Sequence, residues 1–300
     1  MERIAFFGLG AMGEGVAANL LRAGYTVNIT VHRSREATDR LAALGATLHQ
    51  SKSDAAKTSD IVFLCLPNSN VVEETINEIW HELDERYLVV DTGTSSVRQS
   101  LQLAERLGSR GIQFAEAPLA GGKVQAAAGE LGAFVGCSNQ TFERVEPLLK
   151  NFCASVQHFG PVGSGSSAKL ISNYLVLGMV RLITETFHAA DSLEVDWAKF
   201  YEIIRQGSSN SMALERMIGS ILKDDDYGGY VFTVRNALKD SSYIAELGES
   251  ISQAVLGDAA LKLFAEANEL GFGDLQVSEL LRREVRLQLS ELSSEKNSSC

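Results

Sequence analysis

Residues Ile4–Leu20 read IAFFGLGAMGEGVAANL, and the reading of this stretch decides the fold. Ile4, Ala5, Phe6 and Phe7 form a short apolar run of the kind buried in a parallel sheet. Gly8, Gly10 and Gly13 follow at G-x-G-x-x-G spacing, with Leu9, Ala11 and Met12 between them, and Val16 to Leu21 continue as a helix. The first glycine of such a set allows a tight turn, the second lets backbone approach a pyrophosphate, and the third lets helix pack close to strand. Amides at the start of the helix then face the anion, aided by the helix dipole. In a chain with 26 glycines the spacing alone is a weak signal. Its weight comes from strand, glycines and helix arriving in the required order, which predicts a dinucleotide-binding domain.

The end of the next strand, Thr26 to Val31, selects the cofactor. An NAD-binding fold places Asp or Glu roughly 20 residues past the glycines, against the ribose 2′-hydroxyl. Here stand His32, Arg33, Ser34 and Arg35. A guanidinium suits a 2′-phosphate and a carboxylate would repel one, so NADP is expected over NAD. The plainer alternative is a solvated basic turn.

Strands and helices keep alternating. Helical pattern covers Ala37 to Leu44, Val71 to Trp80 and Ser95 to Leu107, with strands at Thr47 to His49, Asp60 to Leu66, Tyr87 to Asp91 and Gly111 to Glu116. Leu66 and Pro67 mark where a strand gives way to a cofactor-facing loop. Thr94 falls at a strand's C-terminal end, where open α/β sheets bind ligands, though a Thr there also caps helices. In EAPLAGGKVQAAAGELGAFVG, Glu116 to Gly136, the Gly121–Gly122 pair offers bare amides that could grip a carboxylate; alone, the pattern is a turn. Strands at Ala133 to Gly136 and Val156 to Phe159 complete the sheet.

At Gly160 to Ser167 the composition turns to Gly and Ser, and only helical patterns follow. The expected organisation is therefore an α/β Rossmann domain with a mostly parallel doubly wound sheet over 1–163, then an all-helical domain over 164–292 and a frayed tail over 293–300. Predicted helices run over Ser166 to Leu193, Trp197 to Gln206, Met212 to Leu222, Val234 to Leu247, Gly257 to Leu270 and Leu275 to Leu292. The first is apolar nearly all round in its first half, as in a helix buried in protein. Lys169 stands near its start, no charge follows from Leu170 to Val180, and Asn173 lies four positions on, on the same face. A cation on a buried helix is costly unless paired or given a task; the alternative is a lysine snorkelling to water.

The bulk numbers exclude several classes. With 300 residues, 45% apolar and 22% charged, the chain has the make-up of a soluble globular protein of one or two domains. A net charge of −11 argues against nucleic-acid or anionic-membrane partners. The uncharged stretch Leu170 to Val180 is too short to span a bilayer, and the N-terminus has no signal-peptide layout. Cys65, Cys137, Cys153 and Cys300 are scattered, so three buried thiols and a tail thiol in a reducing, cytoplasmic setting are expected rather than a metal site.

GLGAMGEGVAANL, the EAPLAGG loop, Lys169 with Asn173, and Lys239 with Asp240 together resemble the β-hydroxyacid dehydrogenases, the family of 3-hydroxyisobutyrate dehydrogenase, from residue 2 to about 290. The resemblance implies dinucleotide binding at Gly8, Gly10 and Gly13. It implies a substrate carboxylate held at Gly121 and Gly122, and a catalytic pair Lys169 and Asn173. Lys239 would approach substrate and nicotinamide, Thr94 matches the family's Ser/Thr near the nicotinamide ribose, and Phe232 its aromatic ahead of the second lysine. Ala120 departs from the family's Ser, Glu116 from its Asp, Val16 from its Met, and Glu130 and Gly132 from its threonines; Ala120 bears on the substrate.

The function the resemblance implies is NADPH-dependent reduction of a small aldehyde or keto acid, such as glyoxylate, succinic semialdehyde or tartronate semialdehyde, by a homodimer or homotetramer. An imine reductase on the same scaffold is the rival, and Lys169 argues against it because those relatives replace that lysine. A third reading is a non-catalytic NADP-binding protein.

Overall fold

A computed structural model describes residues 2–31, 35–248 and 255–298, and the chain divides into two compact units, Met1–Leu170 and Ile171–Cys300. The first unit is built on nine strands: β1 Arg3–Phe7, β2 Thr26–Thr30, β3 Thr47–His49, β4 Ile61–Leu64, β5 Leu88–Asp91, β6 Gln113–Glu116, β7 Leu119–Ala120, β8 Leu131–Gly136 and β9 Cys153–Gly160. They lie in the order β3-β2-β1-β4-β5-β6-β8-β7, with β9 paired to β8. Every pairing from β3 to β6 is parallel. Strand β8 runs antiparallel to β6 and β7 and parallel to β9. The run 3-2-1-4-5-6 is the doubly wound dinucleotide-binding order.

Helices α1 Gly13–Arg22, α2 Arg35–Ala43, α3 Lys52–Lys57, α4 Ser69–Ile79, α5 Val97–Gly108, α6 Lys123–Ala128 and α7 Asn139–Leu149 accompany the sheet. Alternation along the strands makes two cores. Ile4, Phe6, Phe63 and Val90 point to one face, Ala5, Phe7, Val62 and Val89 to the other, all buried. On the first face Phe6 stacks on Phe63 at 5.2 Å between centroids, and Phe63 meets Phe152 edge-on at 5.7 Å. Burying each such side chain contributes about 1.5–3 kcal/mol, which is why a sheet read as four apolar residues at a time holds together.

The second unit is helical. Helix α8, Ser164–Ser192, crosses from the first unit into it; α9 Trp197–Ile204, α10 Met212–Leu214, α11 Ser220–Asp224, α12 Val234–Ala245, α13 Val255–Glu269 and α14 Arg283–Ser298 follow. The unit boundary falls after Leu170, seven residues past the composition change at 163, because the first turns of α8 pack on the sheet. A Cβ on Gly165 would lie 2.5 Å from the Phe134 carbonyl oxygen. With 29 residues, α8 is long and apolar enough to cross a membrane by length and composition. Its Leu170, Leu177, Val180 and Phe187 are instead buried in protein, while Ile171, Leu175 and Leu182 are exposed, so the helix is less enclosed than its pattern predicts.

Four other expectations are corrected. The helix expected over Met212 to Leu222 is interrupted by a π turn at Glu215–Gly219, where a Cβ on Gly219 would lie only 2.7 Å from the Tyr201 hydroxyl. The helix expected over Leu275 to Leu292 is a 3₁₀ turn, Val277–Leu281, broken from α14 by Arg282 in an extended conformation; Val277 N–H is drawn off to the Phe232 carbonyl and Gln276 N–H to Glu279 Oε2. Beyond Ser293 the chain continues as α14 to Ser298, with Lys296 paired to Glu269 at 2.7 Å. Cys65, Cys137 and Cys153 are free thiols, but only the latter two are buried; Cys300 lies outside the described residues.

Candidate active site

The glycine loop separates architecture from space for a ligand. Gly8 has φ +107°, and a Cβ there would sit 2.1 Å from the Cys65 carbonyl oxygen; a Cβ on Gly13 would sit 1.8 Å from that of Gly8. Both glycines are required by the protein's own packing. Gly10 is exposed with nothing within 4 Å of a Cβ, so its bare backbone borders open space, the cradle a pyrophosphate needs. No side chain caps α1 at Met12; of its first-turn amides that of Glu14 donates to the Gly10 carbonyl at 3.2 Å. The acidic residue of that turn, Glu14, is held by Arg40 in a two-pronged pair, 2.6 and 3.0 Å, and this hydrogen bonding lowers its carboxyl pKa. Arg33 and Ser34 lie outside the described residues.

The neighbouring strand ends close around this loop. A Cβ on Gly8 would come 3.2 Å from Leu66 Cδ2, and one on Gly93 2.9 Å from the Leu66 carbonyl oxygen. Strand β4 ends at Leu64, two residues early, as the chain turns over Gly8; Pro67 is exposed and Asn68 caps α4 by accepting from Val71 N–H at 3.0 Å. After β5, Asp91 accepts from Gly93 N–H at 2.9 Å and Ser95 Oγ–H at 2.7 Å, bracing the loop that carries half-buried Thr94. Ser96, not Thr94, occupies the N-cap of α5.

The Gly121–Gly122 loop differs from its expected form. Gly121 needs its positive φ of +121°, but Gly122 N–H is not bare: it donates to Gln125 Oε1 at 3.0 Å. Ala120 lies in the short strand β7, inside what reads as a loop. Helix α6 beyond is pressed on α1, with Asn19 Nδ2 donating to the Ala126 carbonyl at 2.8 Å.

Lys169 belongs to the first unit and Asn173 to the second, one turn apart on α8. Lys169 is half-buried, its Nζ 5.9 Å from the centroid of Phe134 on β8. Asn173, 9% exposed, donates through Nδ2 to Asp240 Oδ2 at 2.7 Å. A carboxylate only accepts, so the contact sets the amide orientation and leaves Asn173 Oδ1 turned the other way. Asp240 Oδ1 lies 3.0 Å from Lys239 Nζ, without the geometry of a hydrogen bond. Lys239 Nζ also sits 5.5 Å from the Tyr243 centroid. Phe232 is half-buried ahead of α12, its carbonyl bonded to Val277 N–H.

Two residues here were not singled out as site residues from the sequence. Asp240 was legible only as the neighbour of Lys239, because nothing in a linear pattern shows that it meets Asn173. Glu116 was visible as a departure from the family's Asp, but not its bonds to Gly163 and Ser166 at the start of α8.

Residues 3–160 match the family described as the NAD binding domain of 6-phosphogluconate dehydrogenase. Residues 163–283 match that described as the NAD-binding domain of NADP-dependent 3-hydroxyisobutyrate dehydrogenase. The chain belongs to the β-hydroxyacid dehydrogenase family. It is 28% identical over 285 residues to 2-(hydroxymethyl)glutarate dehydrogenase of Eubacterium barkeri, covering 93% of this chain and 94% of that one. It is 29% identical over 288 residues to the NAD-dependent L-serine dehydrogenase of Pseudomonas aeruginosa, covering 93% and 96%. Among solved structures, 3-hydroxyisobutyrate dehydrogenase of Mycobacterium tuberculosis, with L-serine, superposes at a TM-score of 0.81 with 26% identity, covering 94% of this chain and 98% of that one. This member of the family therefore has a hydroxyacid dehydrogenase fold with a domain for NAD(P).

Proposed function

We propose that this dehydrogenase is a cytoplasmic, NADPH-preferring enzyme that reduces a small carboxylate-bearing aldehyde or keto acid to its hydroxy acid. The observation that carries the proposal is Asn173, oriented by a buried carboxylate one turn along from a half-buried lysine. A bound nicotinamide dinucleotide supplies the hydride. As the carbonyl oxygen gains negative charge, the Lys169 ammonium stabilises it and passes a proton to it; in the oxidative direction the neutral amine takes that proton back. Asn173 Oδ1 orients the ammonium or the substrate hydroxyl. By the family resemblance Lys239 and Phe232 would serve the substrate, and Thr94 the nicotinamide ribose; Leu66 and Pro67, at the end of β4, would face the cofactor.

Arg33 and Ser34 supply the charge and the hydroxyl that a 2′-phosphate needs, where an NAD-binding chain would carry a carboxylate. At Gly121–Gly122 a substrate carboxylate meets the Gln125 carboxamide, and Ala120 brings no hydroxyl. The exposed stripe Ile171, Leu175 and Leu182 along α8 supports a homodimer or homotetramer that covers it.

The test is absorbance at 340 nm with glyoxylate, succinic semialdehyde and tartronate semialdehyde, each with NADPH and NADH. NADPH should be used at least about tenfold more efficiently, and Lys169→Ala should cut kcat about a hundredfold or more while NADPH still binds. Equal rates with both cofactors would remove the cofactor assignment; undiminished turnover in Lys169→Ala would remove the proton donor.

A further inference from the structure

The first turn of α8 is held by a single side chain from the sheet. Glu116, last residue of β6, is 1% exposed. Its Oε1 accepts from Gly163 N–H at 2.7 Å and from Ser166 N–H at 3.0 Å, and its Oε2 from Ser166 Oγ–H at 2.6 Å. Two more contacts leave the turn no slack. A Cβ on Gly136 of β8 would lie 2.3 Å from Glu116 Oε1 and 2.7 Å from Gly165 N. Ser166 Oγ also faces Ser100 Oγ of α5 at 3.5 Å. Amides that begin a helix have no partner within it, so this carboxylate supplies the acceptors that the helix lacks. Three residues beyond Ser166, on the same face, comes Lys169.

We infer that Glu116 is the positioning residue for Lys169: by taking the amides of Gly163 and Ser166 and the Ser166 hydroxyl, it sets the axial position and rotation of α8 from which the lysine projects. The inference rests on Lys169 as proton donor. Helix rotation matters because 100° per residue carries a small slip in the first turn into a large sideways movement at the end of a long side chain. Glutamate has the reach the gap requires. Aspartate is shorter by one C–C bond, about 1.5 Å, enough to stretch bonds of 2.6–3.0 Å past hydrogen-bonding range. Glutamine is nearly isosteric: its Oε1 can accept both amides, while its Nε2 donates to Ser166 Oγ in place of the present bond.

The experiment uses the full-length chain and two readouts. The first is kcat, KM and NADPH binding with whichever of the three carbonyl compounds is turned over fastest. The second is the rate at which acetic anhydride acetylates Lys169 in cofactor-free protein, read by peptide mass spectrometry with Lys199, 87% exposed, as internal control. Glu116→Asp should lower kcat tenfold or more, leave NADPH affinity unchanged, and raise Lys169 acetylation several-fold relative to Lys199. Glu116→Gln should stay within about threefold of the parent in both readouts. Ser166→Ala, which removes only one of the three bonds, should shift both in the same direction by less, and serves if Glu116→Asp does not fold. In a Lys169→Ala background, Glu116→Asp should change the residual rate no further, since the two act through one group. Unchanged kcat and acetylation in Glu116→Asp and in Ser166→Ala overturn the inference, as does a loss of rate in Glu116→Asp that persists in full without Lys169. Undiminished turnover in Lys169→Ala, with acetylation still responding to Glu116→Asp, would instead remove the lysine as donor and leave the helix clamp standing.

Discussion

Two buried carboxylates hold helix α8, one on either side of the unit boundary, and they do so differently. Glu116 accepts three hydrogen bonds from the helix's first turn and is fully engaged. Asp240 accepts one, from Asn173, while its other oxygen faces an ammonium without a hydrogen bond. A carboxylate whose acceptor capacity is spent inside the fold holds structure in place. Asp240 divides its two oxygens between an amide and an ammonium, so it orients two polar side chains at once rather than closing a helix end. With the proposed roles of Lys169 and Asn173, Asp240 belongs to the surroundings of the reacting centre and Glu116 to its foundation.

The largest effect that can break this contrast comes from neutralising Asp240. In Asp240→Asn the new amide can offer either its oxygen or its nitrogen to Asn173, so the orientation of that amide is no longer dictated, and Lys239 loses its counter-charge. Turnover of the best carbonyl substrate should fall about ten- to a hundredfold while the melting temperature moves little. Glu116→Gln, on the same assay, should retain most of its rate. Equal losses from both substitutions would erase the distinction between the two carboxylates.

The foundation was more legible than the reacting centre, for a physical reason. Ile4 to Gly13 states its own structure, since the apolar run, glycine spacing and helix start act over neighbouring residues and need no distant partner. Helix α8 was likewise readable from its apolar run. By contrast, Asn173 meets Asp240 across 67 positions and Glu116 meets Ser166 across 50, and no periodicity encodes such pairs. The Gly121–Gly122 loop reads as bare amides because a capping side chain three residues on, Gln125, looks in sequence like any polar helix residue. The break at Arg282 was hidden for the same reason: leucine spacing from 275 to 292 suits a helix, but Val277 N–H is claimed by Phe232.

The contrast extends to pH, where the sign differs with the setting. Burial pushes the Glu116 carboxyl pKa up, and its three hydrogen bonds only partly oppose this. A folded-state pKa above the unfolded one makes stability greatest below the unfolded value and reduces it as pH rises through the folded one. Glu116→Gln should therefore flatten the decline of the melting temperature above the ordinary carboxylate range. A variant whose stability falls with pH as steeply as the parent's would show that Glu116 is not the group responsible.

Asp60 gives the opposite sign and the smallest effect. Hydrogen bonds to the Asp60 carboxylate, first from the Arg3 guanidinium and then from the Arg3 backbone N–H, bring its pKa down from 3.8 to about 2, with Nη2–Oδ1 at 2.8 Å and Nε–Oδ2 at 3.0 Å. A depressed folded-state pKa contributes stability that is fully present above about pH 4 and is lost as pH falls toward 2. The pair sits at the start of β1, with the Arg3 side chain 48% exposed and that of Asp60 27%, so water screens it and its contribution at neutral pH is small. Asp60→Asn should lower the melting temperature slightly at pH 7 and match the parent near pH 2, whereas a deficit that persists at pH 2 would mean that the aspartate acts through packing rather than charge. The ordering that results is physical. A solvated ion pair adds a little stability with a normal acid limb, a buried carboxylate that closes a helix end fixes that helix and titrates the other way, and a buried carboxylate shared between an amide and an ammonium orients the side chains of the proposed site.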